Sequence, residues 1–485
     1  MSGIHSIKPI LPVLITLTTV FLIMASRRRP NLREFWSIAG SVGTFVAVLT
    51  MVPTVLQGEV LCFELSRIAP GLSFRFRVDG LGMVFGLISS FLWILASFYN
   101  IGYMRSLGEH AQTRYYACFS SAILGAQGVA YSGSLLTLYL FYEIITVVTY
   151  PLVAHHQDEE AYEAGKKYLF YLMGTSKGLL LPAMVLTYLL SGTLDFSPSI
   201  QEGILNQEGF WVTLTYWLFI LGFAKAAIMP LHNWLPSAMV APTPVSALLH
   251  AVAVVKAGVF SIARVMLSVF GLSLLERLGL GMWTAYFVSI TIILASVIAL
   301  TKDDLKERLA YSTISQLSYI VLGVALLSTM GITGGIFHIV GHALGKITLF
   351  FCAGAIYVAH HKKRISELSG IGYAMPFTMG AFALASLSMI GIPPVGGFVS
   401  KWFLVHGAMD VREMGIVIVL LVSALLNAGY FAPITFRAFF EGTERTFRLR
   451  EAPLWMVIPL CATALLSLFV GFWPDLFVEL VRSMR

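Results

Sequence analysis

The sequence predicts an all-α polytopic membrane protein of about 14 transmembrane helices, and three observations point there. Of 485 residues, 57% are hydrophobic and only 12% charged, about half the charge of an ordinary soluble domain. Apolar runs of about 20 residues, the length a helix needs to cross a bilayer, recur along the chain between short polar loops. The period-two alternation of an outer-membrane barrel is absent. Disorder and a soluble globular fold are thereby disfavoured. A net charge of +7 would raise nucleic acid as a partner of a soluble protein. Here the basic residues sit in inter-helix loops and read as membrane topology, so no nucleic acid is expected.

The expected helices, in order, are 8–26, 35–56, 80–100, 115–131, 134–154, 163–191, 211–236, 243–269, 282–300, 309–329, 332–359, 373–407, 413–440 and 454–476. The first apolar run is followed, not preceded, by Arg27, Arg28 and Arg29. A signal peptide has the opposite order, so this run reads as a retained helix. The segment KDDLKERLAYSTIS, with alternating charge, reads as a solvated connection into the tenth helix. The twelfth range contains GIPPVGG and has to be broken. With the N-terminus outside, the inner loops (RRRPNLR, those around Arg105, Arg114, Lys166 and Lys167, KDDLKER, HHKKR and ERTFRLR) hold about twice the Lys and Arg of the outer ones. The positive-inside rule then places both termini outside; the membrane expected is a bacterial or archaeal cytoplasmic one. Cys62, Cys118, Cys352 and Cys461 form no CxxC and read as small apolar side chains, with neither an iron–sulfur nor a zinc site. No nucleotide-binding motif is present, so the energy for any pumping comes from a partner or an ion gradient.

Six ionisable residues fall deep inside expected spans: Glu143, Lys177, Lys225, Lys256, Lys346 and Lys401. An ionised side chain at a helix centre costs about 2.5–3.5 kcal/mol on insertion scales. Pairing or loss of the charge on burial relieves that cost, and an amine poised between the two states is a proton relay element. Histidine does the same work near neutrality. His338, His342 and Lys346, spaced i, i+4, i+8, form one stripe on the eleventh helix. His250 and Lys256 on the eighth lie about 240° apart on an ideal wheel and are expected to face different neighbours. Glu143 is the one carboxylate at the centre of a span, so a lysine is its natural partner. No HExxH or nearby carboxylate set suggests a metal.

Helix breakers sit beside two of these lysines. Pro230 removes an amide and frees the carbonyl of Ala226, the residue after Lys225. Pro393 and Pro394 free the carbonyls of Met389 and Ile390, Gly391, Gly396 and Gly397 loosen the backbone, and Lys401 follows. Open backbone at membrane depth is tolerated only in protein or facing water, so each break offers a hydratable path to an amine. Lys225 and Lys401 lie five spans apart, an odd number, which sets broken helices 7 and 12 in opposite orientations, as in inverted repeats. Gly341-x-x-x-Gly345 offers a site for close helix packing.

The stretches PLHNWLPSAMVAPTPVSALLHAVAVVKAG, YSTISQLSYIVLG, HIVGHALGKITLFFCAG and GIPPVGGFVSKW resemble the antiporter-like membrane subunits of respiratory complex I, of membrane-bound hydrogenases and of multi-subunit cation/proton antiporters (D-type). The resemblance covers roughly residues 75 to 440. It implies a fourteen-helix fold with inverted repeats of five helices, and proton movement along a central polar axis. The implied organisation is 1–110 (helices 1–3), 111–270 (first repeat, helices 4–8), 280–440 (inverted repeat, helices 9–13) and 450–485 (helix 14). By motif it matches Glu143, Lys225, Lys256, His338, His342, Lys346 and Lys401 to the family's polar axis. With His250, read from its depth on the eighth helix, these make up the expected proton pathway, with Glu143 and Lys225 as the gating pair. Ser237 stands where the family usually has aspartate, and Lys177 is not carried over from the resemblance and reads as a mark of a subfamily or of a partner contact. The chain is expected to bind no cofactor, to have no catalytic site of its own, and to partner other membrane subunits, homologous ones included. Three readings remain open: a proton-translocating subunit of a redox-driven complex, a subunit of a Na+(K+)/H+ antiporter without redox partners, and a non-conducting structural subunit.

Overall fold

The computed structural model describes residues 3–207, 209–441 and 449–484. Its helices follow the expected ranges. They are α1 (Leu11–Ala25), α2 (Pro30–Leu49), α3 (Gly80–Ser106), α4 (Gln112–Ala130), α5 (Leu135–Val153) and α6 (Glu159–Ser191). Then come α7 (Gly209–Gly222), α8 (Thr243–Phe270), α9 (Leu280–Thr301), α10 (Leu305–Ala325) and α11 (Thr329–His360). The last are α12a (Pro376–Ile390), α12b (Gly396–Asp410), α13 (Met414–Phe440) and α14 (Leu454–Phe472). Among the described residues, 10 helices are long and apolar enough to cross a membrane, and α7 and α12a are shorter apolar helices. Part of the ERTFRLR loop lies outside the described residues.

Short polar side chains start the helices by accepting from amides three residues on: Asp79 on α3, Ser134 on α5, Asp158 on α6, Asp304 on α10 and Ser328 on α11. The apolar cores of α8 and α11 are buried throughout, so these two helices form the centre and the others wrap them. The outer helices turn large apolar side chains outward, among them Phe170, Leu189, Trp283 and Leu425. Such an apolar exterior suits lipid rather than water. Close packing at the centre uses glycine. A Cβ on Gly341 would lie 3.2 Å from the Gly396 carbonyl oxygen, and one on Gly345 would lie 2.5 Å from the Met389 side chain.

The all-α expectation needs one correction. Residues Ile4–His5 (β1), Leu61–Ala69 (β2) and Leu72–Val78 (β3) form a three-stranded sheet in that order, with β1 parallel and β3 antiparallel to β2. The signal is SFRFRV, where Phe76 and Val78 point inward while Arg75 and Arg77 reach Asp195 (3.5 Å) and Asp79 (3.4 Å). Gly71 at φ 69° makes the turn. Short helices at Pro198–Leu205, Leu272–Arg277 and Asp475–Arg482 were likewise not expected.

Candidate functional site

The break in the seventh helix is wider than the proline alone predicts. α7 stops at Gly222, three residues before Lys225, which sits in a single tight turn, Ala224–Ala226. Ala227 is left-handed, and regular helix returns only briefly at Trp234–Ser237. Gly258 of α8 explains how the unwound segment docks, because a Cβ there would collide with the backbone of Lys225 and Ala226. Trp234 donates its indole N–H to the Ala224 carbonyl at 3.0 Å, and Thr291 accepts from the Met229 amide at 3.2 Å.

Lys225 is fully buried. Its Nζ donates to the Tyr142 carbonyl (2.8 Å) and Thr146 Oγ1 (2.7 Å), and lies 3.2 Å from the Tyr142 ring centroid. The expected ion pair with Glu143 is not formed. Glu143 instead accepts from Lys177 Nζ at 2.7 Å, and Lys177 also donates to Tyr139 OH at 2.8 Å. Helix geometry gives the reason. Tyr142 and Thr146 share one stripe of α5 and face Lys225, while Tyr139 and Glu143 share the next stripe and face α6. The Lys177 side chain is 48% exposed, so this pair marks the outer edge of the site.

His250 and Lys256 do not face different neighbours. His250 packs on Phe350 of α11 with ring centroids 4.6 Å apart, and Lys256 Nζ lies 2.7 Å from His342 Nδ1, also on α11. A π-helical turn at Leu248–Val252 accounts for the difference, since its extra residue rotates one half of α8 against the other. Lys177 lies on a similar turn at Ser176–Leu180. Among the described residues, both ring nitrogens of buried His250 and the Nε2 of His342 have no hydrogen-bond partner.

The α11 stripe is buried as one line. His338 bridges Ser400 Oγ on α12b (2.8 Å) and Gln316 Oε1 on α10 (3.0 Å), and its ring centroid is 5.9 Å from that of His342. Lys346 Nζ donates to Ser312 Oγ (2.8 Å) and the Leu309 carbonyl (3.1 Å). From Ser312 the line continues to Tyr430 OH (3.1 Å) and then to Asn427.

The twelfth helix breaks where the prolines predict. α12a ends at Ile390, Gly391 turns the chain at φ 92°, and α12b begins at Gly396, with Pro393 and Pro394 between. Lys401 Nζ donates to the two freed carbonyls, Met389 (2.6 Å) and Ile390 (2.9 Å). Gln316 (3.4 Å) and Asn427 (3.3 Å) donate to the same Met389 oxygen. A side chain on Gly391 would meet the Lys401 stem at 2.6 Å. Two hydrogen-bonded branches therefore end together: His338 with Gln316, and Lys346 through Ser312, Tyr430 and Asn427. Among the described residues, no direct hydrogen bond joins Lys225 to Lys256.

The sequence reading missed these hydroxyl and amide links. The i, i+4 pair Ser312 and Gln316 and the i, i+3 pair Asn427 and Tyr430, inside apolar runs, were the available signal. It also missed Arg264, whose guanidinium forms a two-pronged ion pair with Asp79 at 2.5 and 2.8 Å. Burial pushes the Asp79 carboxyl upward, but Arg264, helped by Arg77 and the Gly82 amide, holds it well below the usual carboxylate range.

Residues 132–427, an interval holding all eight pathway residues, match the family described as NADH:quinone oxidoreductase/Mrp antiporter, TM. The chain belongs to that family. Subunit N of the NADH-quinone oxidoreductase of Desulforudis audaxviator (strain MP104C) is 30% identical, over 97% of each chain. A putative antiporter subunit, mnhA2, of Staphylococcus haemolyticus (strain JCSC1435) is 28% identical over 96% of this chain, which spans 61% of that protein. Solved structures share the fold. A chain of the Mrp complex from Dietzia sp. DQ12-45-1b superposes with a TM-score of 0.86 at 23% identity, covering 99% of this chain and 97% of that one. A chain of an archaeal membrane-bound sulfane sulfur reductase gives 0.87 at 24% identity, covering 98% and 96%. The protein is an antiporter-like, multi-pass membrane subunit of the kind found in multi-subunit complexes.

Proposed function

We propose that this subunit moves protons across the cytoplasmic membrane of a bacterium or archaeon within a redox-driven complex, with homologous antiporter-like subunits beside it. The observation that carries the proposal is the convergence of two buried hydrogen-bonded branches on Lys401 and the Met389 carbonyl. Hydroxyls, imidazoles and amines are groups that pass a proton along such a line, and a fully apolar core would serve a scaffold better. Full-length similarity to a subunit N favours the redox-driven setting. Similarity to antiporter subunits keeps Na+(K+)/H+ exchange as the second reading.

In the proposed mechanism, Lys225 takes up a proton at the unwound end of α7, held by Tyr142 and Thr146. Water completes the step from Lys225 to Lys256 and His342. His250, His338 and Lys346 carry the proton on, and Lys401 releases it at the break between α12a and α12b on the opposite side. A charge arriving at one amine raises the cost of a charge on the next, so transfer propagates electrostatically. Glu143, held by Lys177, acts on Lys225 one helical stripe away. Helices α4–α8 and α9–α13 form the two inverted repeats, and both termini lie outside.

The test is proton flux by the assembled complex in proteoliposomes. Lys225→Ala and Glu143→Ala both lower it. Wild-type flux in both variants would favour a structural subunit. Flux that needs sodium or potassium but no electron donor would favour the antiporter reading.

A further inference from the structure

Away from the axis, two loops meet at the ends of α3 and α5. Glu109 and His110 come from the loop before α4, and His155 comes from the loop before α6. One carboxylate oxygen and one nitrogen from each imidazole lie within 4.8 Å of one another. His155 is fully buried, yet among the described residues neither of its ring nitrogens has a hydrogen-bond partner. A buried imidazole with both nitrogens unmet asks for an explanation, and His155, unlike His250, has a carboxylate and a second imidazole beside it. The gaps have the size of a bridged ion. His155 Nε2 stands 3.6 Å from Glu109 Oε2, beyond a good hydrogen bond. Two ligands on one tetrahedral zinc lie roughly 3.3 Å apart, given bond lengths of about 2.0–2.1 Å. The His110 and His155 rings are neighbours, with centroids 4.7 Å apart.

We propose that Glu109, His110 and His155 bind one divalent transition-metal ion of the zinc class. Two imidazole nitrogens and one carboxylate form a set that suits zinc, whereas calcium and magnesium prefer all-oxygen shells. Glu109 and neighbouring His156 line a cavity of about 980 Å³, which gives a hydrated ion an approach on the Glu109 side. His156 Nδ1, 3.9 Å from Glu109 Oε2, flanks the site. The bound ion fastens the loop before α4 to the loop before α6. None of this depends on the proton axis, and no axis residue takes part.

The test uses the full chain purified in detergent without a polyhistidine tag. Equilibrium dialysis against zinc chloride should leave one tightly held Zn2+ per chain. Cobalt(II) chloride should give the visible absorption of a tetrahedral site. His110→Ala, at an exposed position that folding tolerates, should weaken zinc at least about tenfold and abolish the cobalt bands. His155→Ala and Glu109→Gln should do the same, while His361→Ala, at an exposed histidine elsewhere, changes nothing. Zinc bound equally by wild type and His110→Ala, or no zinc held by wild type, overturns the proposal.

Discussion

At the scale of residues, the site is a set of amines whose surroundings decide their chemistry. Among the described residues, Thr146 is the one hydroxyl that Lys225 Nζ donates to. Thr146→Val keeps the shape and removes that oxygen, so proton flux should fall several-fold in correctly assembled complex, measured by a pH-sensitive dye in vesicles. Lys401 donates to two freed carbonyls. Lys401→Met removes the amine from both, leaving the Met389 oxygen to Gln316 and Asn427 alone, and should lower flux at least about tenfold, equivalent to ~1.4 kcal/mol in the barrier. The Asp79–Arg264 pair is structural. Asp79→Asn leaves Arg264 buried without its counter-charge and should lower stability by about 3–5 kcal/mol, read as thermal unfolding in detergent. The Asp79 carboxyl is held below its ordinary value in the folded protein. Its contribution is therefore complete above the ordinary carboxylate pKa of about 3.9 and is lost as pH falls through the lower folded value. The gap between wild type and variant should stay constant from neutral pH downward and narrow only in strong acid.

At the scale of elements, the two breaks were legible to different degrees. Pro393 and Pro394 name the carbonyls they free, and the structure puts Lys401 on those carbonyls. At α7 the proline locates the break but not its start at Gly222, and Gly258 on α8 gives the unwound segment the room to pack. Gly258→Val should force the segment off α8 and lower the yield of folded protein, with a loss seen by size-exclusion chromatography. The π-helical turn at His250 was invisible to an ideal wheel, which assumes 3.6 residues per turn throughout. The sheet was missed because hydropathy along helices dominates the signal, although SFRFRV alternates plainly. The partner of Glu143 was misjudged because spacing along the chain does not show which stripe of α5 faces which neighbour.

At the scale of the whole molecule, composition and apolar periodicity were enough to find the apolar helices, 10 of which among the described residues are long enough to cross a membrane, since every backbone group inside a bilayer has to be satisfied locally. What they could not supply was the wiring, which depends on which helices touch: α8 with α11, α11 with α10 and α12b. The most direct measurement is proton translocation by the assembled complex reconstituted in vesicles, comparing wild type with Lys256→Met. Lys256 sits at the contact of the two central helices, hydrogen-bonded to His342. If protons travel the buried line, the variant assembles normally and translocates at a tenth of the wild-type rate or less, by order of magnitude. Normal assembly with undiminished translocation would contradict the account.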